Sequence, residues 1–254
     1  MLFALNKAAL FNGLGWQDAM ELAEKYGFDR LETWTFPDEE VRVVQALMQQ
    51  DRMKLAGLCP DEFILNDPAK YEDYERALLH ALDKLVLLDG THIITQVGDD
   101  NGMPLEDQIK ATTNGLRQIA PSMESKDKVL VVEPLNTHKE HPNAWLDGSD
   151  ICADILIDVG SPYVKMLYDV YHMLHMGEDV YTQIAKHWDL IDYIHFAGFP
   201  LRNQDLQIGF DYRALLKWLK KEGFRGTIGF EMMPDEGITM DQTLSMLQEL
   251  VSEI

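Results

Sequence analysis

Four side chains that can bind a divalent metal ion stand near the ends of four apolar runs in the second half of this 254-residue chain. They are Glu133 after VLVV, Asp169 in VKMLYD, His195 in IDYIHF and Glu231 after TIGF. Three carboxylates and one imidazole, with no thiolate among them, suit manganese, magnesium, cobalt or zinc. The spacings of 36, 26 and 36 residues predict successive strand ends that converge on one pocket.

Strand-like and helix-like segments alternate along the whole chain. The predicted strands are 2–6, 30–34, 54–59, 92–97, 128–133, 164–169, 191–196 and 226–231. The predicted helices are 16–26, 38–52, 71–88, 105–119, 149–159, 178–188, 211–222 and 239–252. Eight strand–helix pairs predict an α/β protein, a (β/α)8 TIM barrel forming a single domain over residues 1–254. An open doubly wound sheet is the alternative, but the first predicted turn, AALFNGLGW, lacks the third glycine of a dinucleotide-binding loop.

Charge and composition exclude several classes of partner. A formal net charge of −21 repels phosphate backbones and anionic lipids, so we expect no nucleic acid and no membrane partner. No apolar stretch reaches the roughly 18 residues that a membrane span requires. Cys59 and Cys152 show neither disulfide nor CxxC spacing, which favours a cytoplasmic location. The expected partner is a small-molecule substrate, and the sequence leaves a homo-oligomer open.

Three further polar residues lie where a substrate would contact the predicted site. His172 follows Asp169 by three residues and could be a ligand, a substrate donor or a helix cap. A second metal held by His172 and His175 is possible, but a solvated helix start is the favoured interpretation. Arg202 follows the strand of His195, and its guanidinium could bind a substrate carboxylate or hydroxyl pair. Asn136 could bind a carboxylate or a substrate hydroxyl, or could only turn its loop.

Weaker signals fall at the ends of the early strands. Lys7 and Glu32 are charged residues at predicted strand ends in the first half of the chain. Trp34 and Phe11 could form part of the pocket wall, although aromatic residues at such positions usually belong to the core.

The second half of the chain resembles a known family over residues 128–234. The matching segments are VVEPLNT, VKMLYDVYHM followed by GED, IDYIHFAGFPLR and FDYRALLKWLKKEGFRGTIGFEMMP. In order, spacing and residue type they resemble the xylose isomerase-like TIM barrel superfamily, most closely its hydroxypyruvate isomerase branch. The resemblance implies one metal site, formed by Glu133, Asp169, His195 and Glu231. It also implies proton transfer by Glu133 and Glu231, and substrate contacts by His172 and Arg202.

The chain departs from the hydroxypyruvate isomerase pattern at the third ligand. That branch usually has Gln there, whereas His195 is the residue that ketose 3-epimerases carry. The loop after Arg202 also differs, with Asn203 and Gln204 in place of a His-Glu pair. These differences leave the substrate open.

The endonuclease branch of the superfamily requires several more histidines for a multi-zinc site. At those strand ends this chain has Cys59 and Gln96. Together with the net charge of −21, these residues disfavour that branch.

The predicted chemistry is proton transfer next to a carbonyl. One divalent ion, manganese first and magnesium, cobalt or zinc as alternatives, would stabilise an enediolate while Glu133 and Glu231 move the proton. We expect a metal-dependent isomerase or epimerase of a small ketose or hydroxy-keto acid, with a ketose 3-epimerase as one variant. The alternatives are a metal-dependent dehydratase of a keto-polyol and a non-enzymatic protein that binds a sugar or a partner.

Overall fold

Eight parallel strands close into a barrel in the computed structural model, which describes residues 1–51 and 53–254. The strands are β1 Leu2–Asn6, β2 Arg30–Glu32, β3 Lys54–Leu58, β4 His92–Thr95, β5 Val129–Val132, β6 Val164–Asp169, β7 Ile191–Phe196 and β8 Thr227–Phe230. Each strand pairs with the next in the chain, and β8 pairs with β1. The predicted TIM barrel is therefore confirmed, and the open doubly wound sheet is excluded.

Helices follow the strands and cover the outside of the barrel. They are α1 Trp16–Lys25, α2 Val41–Asp51, α3 Tyr71–Leu87, α4 Leu105–Lys126, α5 Ser149–Val159, α6 Val170–His175, α7 Val180–Lys186, α8 Tyr212–Glu222 and α9 Met240–Ser252. Short 3-10 turns occur at Asp38–Glu40, Pro68–Lys70 and Trp188–Leu190. Within residues 1–51 and 53–254, no helix has the length and apolarity needed to cross a membrane.

The elements differ from the predicted ones in three informative places. The sequence predicts a helix that ends at 119, but α4 continues past Pro121 to Lys126. A proline inside a helix costs about 3 kcal/mol. Burial of Ile119 and Met123 on either side of it offsets that cost. The predicted helix over 38–52 starts as a 3-10 turn, and its last residue, Arg52, lies outside the described residues.

The third difference is the short helix α6, which begins immediately after β6. The carboxylate of Asp169 caps it by accepting hydrogen bonds from the backbone N–H groups of Tyr171 and His172. The same Asp169 side chain is one of the four candidate ligands, so the helix start and the candidate site share a residue.

Apolar side chains pack on both faces of the barrel strands. The inner layer fills the inside of the barrel and consists of Ala4, Ala56, Cys59, Ile94, Val131, Leu167 and Tyr193. The outer layer packs the other strand faces against the helices. Strands buried on both faces read as continuous apolar runs, which is the pattern by which they were predicted. Polar side chains therefore collect at the carboxyl ends of the strands, where the inner layer stops.

Gly229 on β8 makes room for those polar side chains. A Cβ at this position would lie 2.6 Å from Glu32 Oε2 and 2.7 Å from His195 Cδ2. The absence of a side chain on β8 thus allows a buried carboxylate and an imidazole to approach from β2 and β7.

Candidate metal centre and active site

The four candidate ligands meet at the carboxyl end of the barrel. Each of Glu133, Asp169, His195 and Glu231 offers one ligand atom, and these atoms all lie within 4.8 Å of one another. All four residues are buried, with at most 4% of their surface exposed. Among the described residues, no other group of His, Cys, Asp or Glu is arranged in this way.

Strand register explains why the four side chains converge. Asp169 on β6 is the register partner of His195 on β7. Glu133 and Glu231 each lie one residue beyond a strand, and their N–H groups continue the ladder by donating to the carbonyls of Thr95 and Phe196. Backbone hydrogen bonds therefore hold all four residues in place.

His195 directs its two ring nitrogens to different carboxylates. Nδ1 lies 3.4 Å from Glu133 Oε1, 3.5 Å from Glu231 Oε2 and 4.0 Å from Asp169 Oδ2. Nε2 lies 3.1 Å from Glu32 Oε1, within ion-pair distance although off the line of a hydrogen bond. Nδ1 is therefore the nitrogen that faces the cluster, and Glu32 lies behind the ring.

Glu32 belongs to a buried polar layer beneath the cluster. Its carboxylate is fully buried and accepts hydrogen bonds from Asn6 Nδ2 at 3.1 Å and from the Tyr193 hydroxyl. Asn6 also donates to Glu231 Oε1 at 3.2 Å, which links this layer to the cluster. Sequence reasoning noted Glu32 only as a weak signal and missed Asn6 and Tyr193. Tyr193 lies two residues before His195 and thus on the same strand face, and that spacing was the available signal.

The second oxygens of the two glutamates are held by neutral donors. Gln96 Nε2 donates to Glu133 Oε2 at 2.7 Å. Trp34 Nε1 and Asn6 both donate to Glu231 Oε1. These hydrogen bonds fix the planes of the two carboxylates.

Burial and mutual repulsion dominate the electrostatics of the cluster. Burial and the neighbouring Glu133 carboxylate raise the pKa of Asp169 to about 7, against the opposing effect of His195. Burial would also raise the pKa of Glu231, but His195 and Arg202 outweigh it and hold that pKa below its usual range. Burial would lower the pKa of His195, yet the surrounding carboxylates, Glu32 first, raise it well above its ordinary value.

The cluster fits a divalent cation. Glu133 Oε1 and His195 Nδ1 are buried and have no hydrogen-bond partner, which is costly unless something else satisfies them. Three carboxylate oxygens and one imidazole nitrogen form a hard-to-borderline donor set. A cation between them would satisfy both unpaired atoms and offset the repulsion.

His172 lies beside the cluster rather than within it. Its Nε2 is 3.5 Å from Asp169 Oδ2, and its Nδ1 receives the side-chain N–H of Asn136 at 2.6 Å. The orientation of that amide follows from the backbone N–H groups of Lys139 and Glu140, both of which donate to Asn136 Oδ1. Burial, and then Arg202, hold the pKa of His172 well below its ordinary value. His172 is thus a neutral imidazole whose Nε2 carries the hydrogen.

Arg202 reaches the cluster from the loop after β7. Its backbone is left-handed, with φ of 57°, and its N–H donates to the carbonyl of Gly198. The guanidinium donates to Glu231 Oε2 and lies over the ring of Tyr171, with Cζ 5.5 Å from the ring centroid. Arg202 therefore offsets part of the charge of Glu231 on the side facing the pocket.

A cavity of about 550 Å³ opens above these groups. Its wall includes Glu133, His195 and Glu231 from the cluster, together with His172, Arg202 and Trp34. Phe11, the other aromatic candidate for the wall, is fully buried in the outer apolar layer. Asn136 is buried behind the wall, where it orients His172.

The chain belongs to the xylose isomerase-like TIM barrel family, whose model matches residues 20–250. Hydroxypyruvate isomerase of Escherichia coli strain K12 is 24% identical, over 91% of this chain and 93% of that protein.

Solved structures share the fold. A Brucella melitensis protein described as AP endonuclease, family 2, superposes with a TM-score of 0.89 at 21% identity, over 99% of this chain and 98% of the other. A D-allulose 3-epimerase from Methylomonas sp., in complex with D-allulose, superposes with a TM-score of 0.84 at 18% identity, over 100% and 96%. At these identities the likeness establishes the architecture only.

We predict that Glu32→Gln weakens binding of manganese to the metal-free protein by about 10- to 100-fold. The amide keeps the shape of the side chain but removes the charge that supports the imidazole of His195. Titration calorimetry on the purified variant measures the affinity, and Glu124→Gln on the exposed face of α4 makes the same charge change far from the cluster. An affinity within twofold of that control would show that Glu32 has no part in metal binding.

We also predict that metal affinity rises with pH and that the rise is steeper below about pH 7. A cation has to displace the proton of His195, whose pKa is raised. Below pH 7 it also has to displace that of Asp169, whose pKa is about 7. Calorimetry in two buffers of different ionisation enthalpy measures the protons released at each pH. The same number of protons released above and below pH 7 would contradict this expectation.

Proposed function

We propose that this protein is a divalent-metal-dependent isomerase or epimerase that moves a proton next to the carbonyl of a small ketose or hydroxy-keto acid. The observation that carries the proposal is the cluster of Glu133, Asp169, His195 and Glu231, whose ligand atoms lie within 4.8 Å of one another. All of these residues except Asp169 line the cavity. Membership of the xylose isomerase-like family supports it. The resemblance to E. coli hydroxypyruvate isomerase, over almost the whole of both chains, supports it further.

The residues that would hold the ion are Glu133, Asp169, Glu231 and, through Nδ1, His195. The ion supplies polarisation of the substrate's carbonyl when it is bound. The remaining steps belong to side chains of this chain, and the two glutamates are the proton-transfer groups that we propose.

Glu133 and Glu231 enter the cavity from β5 and β8, on different sides of the barrel mouth. Each has one oxygen fixed by a neutral donor, so the carboxylate can accept a proton from an α-carbon without rotating. Carboxylates on two sides of the substrate suit epimerisation, whereas one carboxylate is enough for a 1,2-shift between ketone and aldehyde.

His172 and Arg202 are the proposed substrate contacts. The Nε2–H of His172 is a donor for a substrate oxygen, because Asn136 fixes the hydrogen on that nitrogen. The guanidinium of Arg202 lines the cavity beside Glu231 and can donate to a second substrate oxygen. Asn136 is a positioning residue, since it is buried and acts through His172.

An endonuclease function is disfavoured despite the likeness to the Brucella fold. A net charge of −21 opposes the approach of a DNA backbone. Within the described residues, the only group arranged like a metal site is the four-residue cluster, and Cys59 and Gln96 line the cavity near the ends of β3 and β4.

Manganese or cobalt should restore more activity than magnesium when ions are added singly to chelated protein. The imidazole of His195 is a borderline ligand, which magnesium binds less readily than the two transition metals. Elemental analysis of the protein as purified is the companion measurement. Full recovery with magnesium alone would count against manganese as the working ion.

Turnover in D₂O should place deuterium on the carbon next to the carbonyl, and Glu231→Gln should reduce turnover by about 100-fold or more. The amide retains an oxygen ligand but cannot accept the proton. Mass spectrometry of the product measures the deuterium and also reveals any loss of water, which would indicate a dehydratase instead.

Glu236→Gln is the matched control for this variant. Glu236 is exposed, lies in the same loop as Glu231 and undergoes the same chemical change. A rate for Glu231→Gln close to that of Glu236→Gln would remove Glu231 from the mechanism.

A further inference from the structure

The lining of the cavity around the candidate ligands has two kinds of wall. One is apolar and is formed by Trp34, Phe63, Leu135 and Met233. The other is acidic and contains Asp99 and Glu140. A carboxylate in a binding pocket accepts hydrogen bonds from hydroxyl groups and repels anions, so this region distinguishes uncharged from anionic ligands.

Glu140 is held firmly in this wall. Its Oε2 accepts the side-chain N–H of Asn136 at 2.6 Å, and its Oε1 accepts the hydroxyl of Tyr171. Its side chain remains 27% exposed. Partial burial would raise the pKa of Glu140, but the hydrogen bonds from Asn136 and Tyr171 outweigh it and hold the pKa below its usual value. Glu140 therefore presents a fixed negative charge to the cavity.

Apart from the divalent ion of the proposed function, whose charge the three ligand carboxylates offset, the cavity has little positive charge to offer an anionic substrate. Of the described residues that line it, Arg202 is the one with a permanent positive charge, and its guanidinium is engaged with Glu231. The ammonium group of Lys139 lies 3.7 Å from Glu140 Oε1 and offsets part of its charge, but Lys139 is not among the residues that line the cavity. Its hydrogen bonds go to the Tyr171 hydroxyl at 2.9 Å and to the Pro200 carbonyl at 2.6 Å.

The size of the cavity is a second argument for a substrate larger than a three-carbon keto acid. A three-carbon keto acid would leave most of the 550 Å³ empty. A sugar of five or six carbons extends from the cluster towards the acidic wall, where its distal hydroxyls can donate to Glu140. Its C–H surfaces can pack on Trp34 and Met233. The net charge of −21 adds a long-range repulsion that slows the approach of anions but not of neutral sugars.

We propose that the substrate of this site is an uncharged ketose of five or six carbons rather than a keto acid, and that Glu140 is a specificity-determining residue. The carboxylate of Glu140 accepts hydrogen bonds from hydroxyls on the part of the substrate that extends from the carbonyl carbon towards the acidic wall. It disfavours a carboxylate bonded to the carbonyl carbon on that same side. This inference rests on the proposed function and selects between the two substrate classes that the function leaves open.

The test uses pairs of compounds that differ only in charge. Dihydroxyacetone and hydroxypyruvate have the same length, with a hydroxymethyl group in one where the other has a carboxylate, and erythrulose and 2-oxo-tetronate form the next pair. The metal-loaded protein is given each compound in D₂O, together with five- and six-carbon ketoses. In each pair the neutral member should have the higher kcat/KM, by about 10-fold or more. The longer ketoses should exceed both pairs.

Glu140→Gln should shift the ratio of kcat/KM towards the keto acid by about 10-fold, mainly through KM. Glu124→Gln on α4 makes the same charge change at a remote exposed position and should leave the ratio unchanged. Melting temperature and metal content are measured on both variants. A ratio that does not move in Glu140→Gln overturns the role of this residue.

Calorimetric binding of each compound to the unaltered protein separates this inference from the proposed function. Deuterium exchange that is faster with the keto acids overturns the selectivity and leaves the isomerase function standing. Preferential binding of the neutral members without any exchange supports the selectivity and overturns the isomerase function.

Discussion

Repulsion among three buried carboxylates is the interaction on which the other features of the barrel mouth depend. At about 4 Å, two like charges near a protein surface repel by roughly 4 kcal/mol. Glu133, Asp169 and Glu231 have ligand atoms at such separations, and they share one imidazole and one guanidinium as internal counter-charges. Closed backbone ladders force the carboxylates together, so the charges cannot relax by moving apart. The pKa of Asp169 is raised by burial first and then by this repulsion, and the same arrangement fits a divalent cation.

Hydrogen bonds from neighbouring groups fix the orientation of the three carboxylates despite this repulsion. Each carboxylate has one oxygen turned towards the cluster and another bound elsewhere: by Gln96 for Glu133, by Trp34 for Glu231 and by the start of α6 for Asp169. Glu32 lies behind His195, so that Nε2 of the imidazole faces Glu32 and Nδ1 faces the cluster. The ligands are thus oriented before any ion arrives, which lowers the entropic cost of binding.

The sequence predicted the barrel and the four convergent residues because both depend on local pattern. A charged residue at the end of a buried strand has to be paired, and four of them in succession identify the face on which they meet. The buried polar layer beneath the cluster was not predicted, because Asn6 and Tyr193 look like ordinary strand residues in the sequence. Their contacts exist only in the closed barrel. Helix α4 continues past Pro121 for a similar reason, since the packing that compensates for the proline comes from distant elements. The left-handed backbone of Arg202 depends on a tertiary contact with Gly198, which a local sequence pattern does not reveal.

The candidate ligands and the proposed specificity residue lie on different kinds of structure in this protein. The four candidate ligands are fixed by the strand ladders, whereas Glu140 stands in the loop 134–148 between β5 and α5. Substitutions in that loop alter charge and shape in the wall of the cavity while leaving the ligand ladders untouched. Under the proposed function, a descendant of this chain that exchanges this one loop acquires a new substrate and keeps the proposed proton-transfer groups. The separation would make the barrel a starting point for evolutionary diversification, in which the proposed chemistry is inherited and the substrate is changed.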